Sequence, residues 1–225
     1  MTSAEHKHAI ARTHRITSSR IPVIARGDFK AWNTLAKKMR EAKPAPIHST
    51  GATGVAPLDW GRKHEDWICA QFWLRHYEYD VADERWCYWH DPANKVLWQM
   101  CGTSPDRTLY QEVDGFPKRV AILETKCPWR QEIHRDYREV GDLPIEYRPQ
   151  MYWHLMVSDA PHGWFVSGDP RLKDEDLNYF EVRVERDPAY EQILLMKVNR
   201  FIGGYLSGEE FQATEYNRAT YEEIF

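Results

Sequence analysis

Charged residues end an otherwise apolar, strand-like run in the middle of this chain. Residues 120–123 read Val-Ala-Ile-Leu, and Glu124, Thr125 and Lys126 follow directly. Because side chains alternate along a strand, Glu124 and Lys126 point to one face and Thr125 points to the other. Burying an unpaired charge in a sheet is costly, so these two residues need a partner or a metal ion. The chain therefore has to build a polar site at the end of this strand.

A second carboxylate precedes this strand in a Ser-Pro-Asp segment. Pro105 fixes the chain beside Asp106, eighteen residues before Glu124. The two carboxylates can hold a divalent cation, and the backbone carbonyl of Thr125 is a further oxygen ligand for a hard ion. Lys126 would then lie beside the attacking water or the phosphate, as a metal-dependent phosphodiester-cleaving site requires. A simple Glu124–Lys126 ion pair on a half-exposed strand is the alternative, and the spacing alone leaves it open.

The charge distribution is uneven along the chain. Up to Thr50, ten Lys and Arg face three acidic residues, which gives +7 there and leaves −11 for the remainder of a chain of net charge −4. A basic N-terminal part on an acidic body fits a localised polyanion-binding face, although a solvated charge run gives the same count. No run approaches the roughly 18 apolar residues of a membrane span, and no signal-peptide pattern opens the chain, so we expect a cytoplasmic protein without a membrane partner.

Cysteine and histidine spacing predicts neither a zinc site nor a redox pair. The four cysteines never occur as Cys-x-x-Cys, and their apolar surroundings indicate buried free thiols. The sequence contains no Gly-rich phosphate loop, so nothing in it indicates the use of ATP. Five histidines do not group at metal-ligand spacing, and we interpret most of them as surface or hydrogen-bonded core residues: His64, His90, His134, His154 and His162.

Apolar periodicity predicts the order helix, helix, strand, strand, helix, strand, strand, helix. This order is that of an α/β protein with a mixed β-sheet core flanked by helices. The Pro-, Gly- and Ser-rich segment 43–57 is predicted to be a loop, and the tail after Ser207 is acidic. The predicted helices cover about 28–40, 58–79, from 149 onward and 187–205; the predicted strands cover 96–101, 119–126, 163–167 and 179–185.

Several separated motifs occur in one order along the chain. They are Trp-Gly-Arg-Lys-His-Glu (60–65), Ser-Pro-Asp (104–106), Ile-Leu-Glu-Thr-Lys-Cys-Pro (122–128) and Tyr-Arg-Pro-Gln-Met-Tyr-Trp-His-Leu-Met-Val (147–157). With residues 11–20 and 163–190, they make the chain resemble the phage lambda-type alkaline exonucleases. These are the YqaJ-like viral recombinase group of the PD-(D/E)xK nucleases, whose fold is restriction-endonuclease-like. The resemblance covers about residues 12–206, and it departs from the family where Arg107 follows Asp106, a position that is commonly Gly.

The resemblance implies a metal centre. In it Asp106 and Glu124 are metal-binding carboxylates, and Thr125 supplies a carbonyl oxygen. Glu65 would reach a second metal position or its waters, although without the family match it reads as a surface helix residue. The implied cofactor is Mg²⁺, as two ions, with Mn²⁺ able to substitute.

The resemblance also implies roles for residues around the metal. Lys126 would orient or help deprotonate the attacking water, and Gln150 would help to place that water; otherwise Gln150 is an ordinary amide at a helix start. Arg12 and Ser19 would form a pocket for a 5′-phosphate, with a flexible tail charge as the alternative for Arg12. Leu58 matches an apolar wedge that splits terminal base pairs, or it is the first core residue of its helix.

By resemblance the chain is a single nuclease domain over residues 1–225. Residues 1–55 form a basic DNA-end-binding part, residues 56–206 the catalytic core and residues 207–225 an acidic tail. The implied enzyme degrades one strand of double-stranded DNA 5′→3′ from ends and leaves 3′ overhangs for a single-strand annealing protein. It would be a homotrimer, encoded by a phage or prophage and active in the bacterial cytoplasm. The alternatives are a structure-specific or restriction-type endonuclease and a DNA-end-binding protein that does not cleave.

Overall fold

A five-stranded mixed sheet carries the polar strand end that the sequence predicts. The computed structural model describes residues 12–43, 56–82, 86–174 and 176–212. Its helices are α1 (Ile21–Arg26), α2 (Phe29–Glu41), α3 (Ala56–Arg75), α4 (Lys95–Met100), α5 (Gln131–Val140), α6 (Arg148–Ser158) and α7 (Pro188–Ser207). Its strands are β1 (Asp80–Ala82), β2 (Cys87–Tyr88), β3 (Gly102–Thr103), β4 (Arg107–Val113), β5 (Phe116–Lys126), β6 (His162–Gly168) and β7 (Tyr179–Glu185).

Strand β5 is the centre of the main sheet, whose order is β1-β4-β5-β6-β7. It pairs antiparallel with β4 and parallel with β6, while β2 and β3 form a separate two-stranded ribbon. Hydrogen bonding on both edges and packing on both faces explain why residues 120–123 are so apolar. The predicted α/β class, with a mixed sheet flanked by helices, is confirmed.

A tight hairpin between β4 and β5 sets the register of the polar residues. Asp114 and Gly115 form the turn with φ of 55° and 78°, the left-handed pair that a two-residue hairpin requires. The ladder brings Arg107 opposite Leu123. Asp106 directly precedes this first pair of the ladder and therefore lies beside the end of β5.

Two hydrophobic cores lie on the two faces of the sheet. Ile122 of β5 and Phe165 of β6 belong to the larger core, together with apolar residues of α1, α2, α6 and α7. Leu123 and Val166, their neighbours in sequence, belong to the smaller core under α3. This alternation means that α6 covers the Ile122 face and α3 covers the Leu123 face, so both helices reach the strand end from opposite sides.

The predicted helices and most predicted strands are present. Asp28 caps α2 and accepts hydrogen bonds from the backbone N–H groups of Lys30 (2.9 Å) and Ala31 (3.2 Å). Asp187 caps α7 in the same way, and Pro149 lies in the first turn of α6. The strands expected at 119–126, 163–167 and 179–185 correspond to β5, β6 and β7.

The strand predicted at 96–101 is wrong, because residues 95–100 form helix α4. The side chain of Asn94 caps this helix by accepting a hydrogen bond from the backbone N–H of Leu97 at 3.2 Å. The periodicity of such a short apolar run fits a helix or a strand equally well. The Asn94 cap is the local feature that favours the helix. Helices α1 and α5 and strand β4 were not predicted from the sequence.

Other expectations find partial answers. All four cysteines are buried and free, as predicted. Within the described ranges, no helix combines the length and the apolar character needed to cross a membrane. Most of the predicted loop at 43–57 and the tail beyond Gln212 lie outside the described residues.

Candidate active site

Asp106 is held against the backbone of β5. Its Oδ2 accepts hydrogen bonds from the backbone N–H of Thr125 at 2.7 Å and from Thr125 Oγ1 at 2.8 Å. The hairpin register places the carboxylate there, and two donors on one oxygen fix its orientation. Oδ1 is then the oxygen that a cation can take. Thr125 therefore positions Asp106. That the Thr125 carbonyl is a metal ligand stays a prediction.

Glu124 is a carboxylate buried in the sheet, with 3% of its surface exposed. Lys126 Nζ and Gln150 Nε2 both donate to its Oε1, the first from two residues along β5 and the second from α6. His154 Nε2 lies 3.1 Å from Oε2. The structure thus brings together three predicted residues: Glu124 and Lys126 from one sequence motif and Gln150 from another.

His154 is a member of this site that the sequence interpretation missed. It is fully buried, and its Nδ1 is 2.7 Å from Thr103 Oγ1. That contact ties the short strand β3 to the same cluster. Gln150 and His154 are four residues apart on α6, so they share one helix face, and this spacing was the signal available in the sequence.

The two carboxylates differ sharply in their proton affinity. Burial, together with the nearby negative charge of Glu124, raises the pKa of Asp106 to about 7. Burial also acts to raise the pKa of Glu124, but the positive charge of Lys126 and the contact with His154 outweigh it and lower that pKa to about 2. The pKa of Lys126 is raised, because the attraction of Glu124 and Asp106 exceeds the effect of its burial.

This donor set fits a divalent cation. Glu124 Oε2 is buried and faces the His154 Nε2 nitrogen at 3.1 Å. A buried carboxylate oxygen is costly unless positive charge or hydrogen-bond donors compensate it, and a cation would add to what His154 supplies. In the part of the chain that the structure describes, no three His, Cys, Asp or Glu side chains converge as a metal cluster. The carboxylates available here are therefore few, and any ion held by them would have to keep part of its coordination shell as water.

Lys126 has an aromatic neighbour. Its Nζ lies 5.1 Å from the centre of the Tyr147 ring, and the Tyr147 hydroxyl accepts a hydrogen bond from Tyr137 at 3.4 Å. The ring face attracts the ammonium group and limits the directions it can take. Tyr147 is thus a further contact of the site that was not predicted.

The chain matches a family model over residues 7–161, described as the YqaJ-like viral recombinase domain. The chain belongs to this family. Its fold is similar to an alkaline exonuclease (LHK-Exo) from Laribacter hongkongensis, with a TM-score of 0.71 and 20% identity over 97% of this chain and 99% of that one. Family and fold together mark the chain as a nuclease.

Two further solved structures share the fold. LHK-Exo in complex with dAMP has a TM-score of 0.69 and 20% identity over the full length of both chains. A phage related exonuclease from Haemophilus somnus 129PT has a TM-score of 0.51 and 14% identity, over 79% of this chain and 80% of that one. A comparison with curated protein sequences finds no match.

In this YqaJ-like domain the segment 12–20 approaches the end of the sheet that carries Asp106 and Glu124. Arg12 Nη1 donates to Ser104 Oγ at 3.1 Å, two residues before Asp106. Arg20, which was not predicted as a site residue, donates to the carbonyls of Arg12 (3.3 Å), Thr13 (3.2 Å) and Arg15 and so holds the segment folded. Burial and the nearby Arg20 lower the pKa of Arg12, as expected for cations gathered without an anion.

The remaining predicted DNA contacts are less constrained. Ser19 is exposed, its hydroxyl lies 3.1 Å from Thr17 Oγ1, and no hydrogen bond joins it to Arg12 within the described ranges. Leu58 is 56% exposed in the first turn of α3, so it is not a core residue of that helix. Glu65, also on α3, is paired with Arg107 at 3.1 Å.

A buried ion pair fastens the chain just beyond Lys126. Asp169 is fully buried at the end of β6, and Arg171 donates to both of its carboxylate oxygens at 2.8 Å. The same guanidinium donates to the carbonyls of Pro128 (3.3 Å) and Trp129 (2.8 Å). Burial alone would raise the pKa of Asp169, but the hydrogen bonds from Arg171 outweigh it and lower that pKa.

We expect Asp169→Asn to destabilise the protein in a pH-dependent way. The pKa of Asp169 is lower in the folded protein than in the unfolded chain, where it is about 3.9. The ionised pair therefore stabilises the fold fully above about pH 3.9. This stabilisation is lost as the pH falls through the lower pKa of the folded protein. The variant should therefore lose roughly 2 kcal/mol of unfolding free energy at neutral pH, and the difference from the parent should shrink below about pH 4. Urea denaturation followed by tryptophan fluorescence measures it.

The exposed Asp80→Asn is the matched control and should show no such loss. A difference between Asp169→Asn and the parent that is constant from neutral to acidic pH would contradict the assignment to this ionised pair.

Proposed function

We propose that this chain is a Mg²⁺-dependent 5′→3′ exonuclease that degrades one strand of double-stranded DNA from its ends. The observation that carries the proposal is the convergence on one buried Glu124 oxygen of Lys126 and Gln150. Asp106 lies just before β4 and is held by the backbone N–H of the adjacent Thr125. This is the donor set of a metal-dependent phosphodiesterase built at the end of a central strand.

A bound divalent cation would supply Lewis-acid stabilisation of the phosphate and a lowered pKa for its water. Asp106 Oδ1, Glu124 Oε2 and the Thr125 carbonyl are the oxygens that would hold it. Lys126 keeps its proton at neutral pH, because its pKa is raised, so it acts as a fixed cation toward the phosphate and the attacking oxygen. Gln150 orients Glu124 from α6 and offers its amide to a water at the same place.

Arg12 supports action at DNA ends. Its guanidinium is half-buried, contacts Ser104 beside the catalytic segment, and has Arg20 as a neighbouring cation. A terminal 5′-phosphate bound there would receive charge-assisted hydrogen bonds within reach of the Asp106 region. This placement supports the 5′→3′ polarity that the resemblance implies, with Ser19 as a further hydroxyl donor from the same segment.

Leu58 supports strand separation at the end. An exposed leucine in the first turn of α3 can insert between terminal base pairs, where it must offset a few kcal/mol per unstacked step. The product would be a duplex with a 3′ single-stranded overhang. We extend the proposal to a homotrimer that hands this overhang to a single-strand annealing protein in a phage or prophage system, on the basis of family membership.

A panel of DNA substrates tests the reaction class. With Mg²⁺, we expect linear duplex with 5′-phosphates to be degraded, dephosphorylated linear duplex to be degraded more slowly, and circular duplex to survive, as gel electrophoresis would show. Digestion of circular DNA would instead indicate an endonuclease. Binding to ends without digestion of any substrate would indicate a non-cleaving end-binding protein.

We expect Lys126→Ala to abolish hydrolysis while end binding stays nearly intact. Loss of the cation beside the phosphate removes transition-state stabilisation of about 3 kcal/mol or more, at least a hundredfold in rate. Single-turnover degradation and fluorescence anisotropy of labelled duplex measure the two properties. Lys118→Ala, on the exposed start of the same strand, is the matched control and should keep the parental rate; a Lys126→Ala rate within a few-fold of the parent would refute this role.

We expect Arg12→Ala to lose the preference for 5′-phosphorylated ends. Hydrogen bonds between charged groups contribute about 1.5 to 3 kcal/mol, so the preference should fall by about tenfold or more. Initial rates on phosphorylated and dephosphorylated linear duplex give the ratio. Arg26→Ala, an exposed arginine of the same basic part, should keep it, and an unchanged ratio in Arg12→Ala would rule out the pocket.

A further inference from the structure

Arg107 joins the metal-binding end of the sheet to helix α3. Its Nη1 lies 3.1 Å from Glu65 Oε1, its Nη2 lies 2.5 Å from Asp66 Oδ1, and Nη1 also donates to the carbonyl of Asp106 at 2.6 Å. Only 15% of the Arg107 side chain is exposed, whereas Asp66 is 90% exposed. The guanidinium is therefore held on the inner side of α3, against Glu65.

The strand register explains why Arg107 points there. Arg107 pairs with Leu123, whose side chain faces the core under α3, so Arg107 shares that face. Asp106 precedes it by one residue and its carboxylate is bound to Thr125 instead. A residue at position 107 with a long cationic side chain reaches Glu65, while a glycine there would leave Glu65 without this cation.

The carboxylates of the site then differ in their side-chain cations. Glu124 is paired with Lys126, and Glu65 is paired with Arg107. The residues that the structure describes make no ion pair to Asp106, whose contacts are the neutral N–H and hydroxyl of Thr125. Glu65 still lies close enough to Asp106 for its charge to act on that carboxyl. One carboxylate in this corner is thus left for an external cation to neutralise.

We propose that Arg107 is a built-in cation for Glu65, so that this chain holds one divalent ion, at Asp106 and Glu124, in place of the two that its resemblance implies. The guanidinium of Arg107 makes hydrogen bonds to both Glu65 and Asp66 on α3. It thereby takes up the Glu65 carboxylate, which a second ion would need as a ligand. The inference rests on the proposed metal-dependent function and concerns only the number of ions. Arg107 acts here through Glu65 and is a positioning residue.

Counting bound ions tests this without measuring cleavage. Mn²⁺ is titrated into the full-length protein without DNA at mildly alkaline pH, and electron paramagnetic resonance of the free ion gives the number bound. We expect one ion for the parent and two for Arg107→Gly, because Glu65 is then released. Arg107→Gln keeps most of the size of the side chain but not its charge, and this variant should also bind a second ion. It replaces the glycine variant if circular dichroism shows that the glycine variant is unfolded.

Two more variants separate the sites. Glu65→Gln combined with Arg107→Gly should return the count to one, and Asp106→Asn should lose the ion that the parent holds. Arg183→Gly, which removes a partly exposed arginine from β7, is the matched control and should leave the count at one.

The contrary outcomes are distinct. Two ions bound by the parent, or one ion bound by Arg107→Gly and Arg107→Gln, would overturn the role of Arg107. An unchanged count together with weaker duplex binding by these variants would overturn it in favour of a DNA phosphate contact. No Mn²⁺ bound by any of the proteins would instead refute the proposed metal-dependent function, and this inference with it.

Discussion

The buried carboxylate of Glu124 is the constraint on which the rest of the structure depends. It lies in the central strand with 3% of its surface exposed, where an isolated charge would cost several kcal/mol. The fold meets this cost by bringing donors from one strand and one helix, Lys126 from β5 and Gln150 from α6. The placement of α6 across the Ile122 face is thus tied to the polar end of β5, and not only to the apolar core beneath it.

The same arrangement makes two neighbouring carboxylates unequal. Lys126 pairs with Glu124 and holds its pKa low, whereas burial and then the negative charge of Glu124 raise the pKa of Asp106. One carboxylate is therefore permanently ionised and the other is in conflict with its surroundings. A divalent cation held as proposed would relieve that conflict, and its binding would then be coupled to the ionisation of Asp106. The Glu124–Lys126 ion pair is thus present in the structure, and it is the neighbouring Asp106 carboxylate that lacks a cation of its own among the described residues.

How much was predictable follows from the range of the interactions involved. Strand β5 and helices α2, α6 and α7 were predictable because periodicity and capping residues are local signals. Strand β4 was missed although Asp114-Gly115, a strong hairpin turn, stands between it and β5. The contact of His154 with Glu124 joins residues thirty apart in the sequence, and only the parallel β5–β6 crossover through α6 brings them together. The strand predicted at residues 96–101 was wrong because such a short apolar run does not distinguish a helical from a strand period.

Arg107 shows why a departure inside a motif needs the three-dimensional register to be understood. In sequence it is only a bulky cation where the resemblance leads one to expect glycine. In the sheet, alternation turns it away from Glu124 and toward α3, where its partners Glu65 and Asp66 lie some forty residues earlier in the chain. Arg107 therefore leaves the contacts of Asp106 and Glu124 as they are and gives the neighbouring Glu65 carboxylate a cationic partner. Because the guanidinium makes hydrogen bonds both to α3 and to the carbonyl of Asp106, it ties the start of β4 to this helix while it pairs with Glu65.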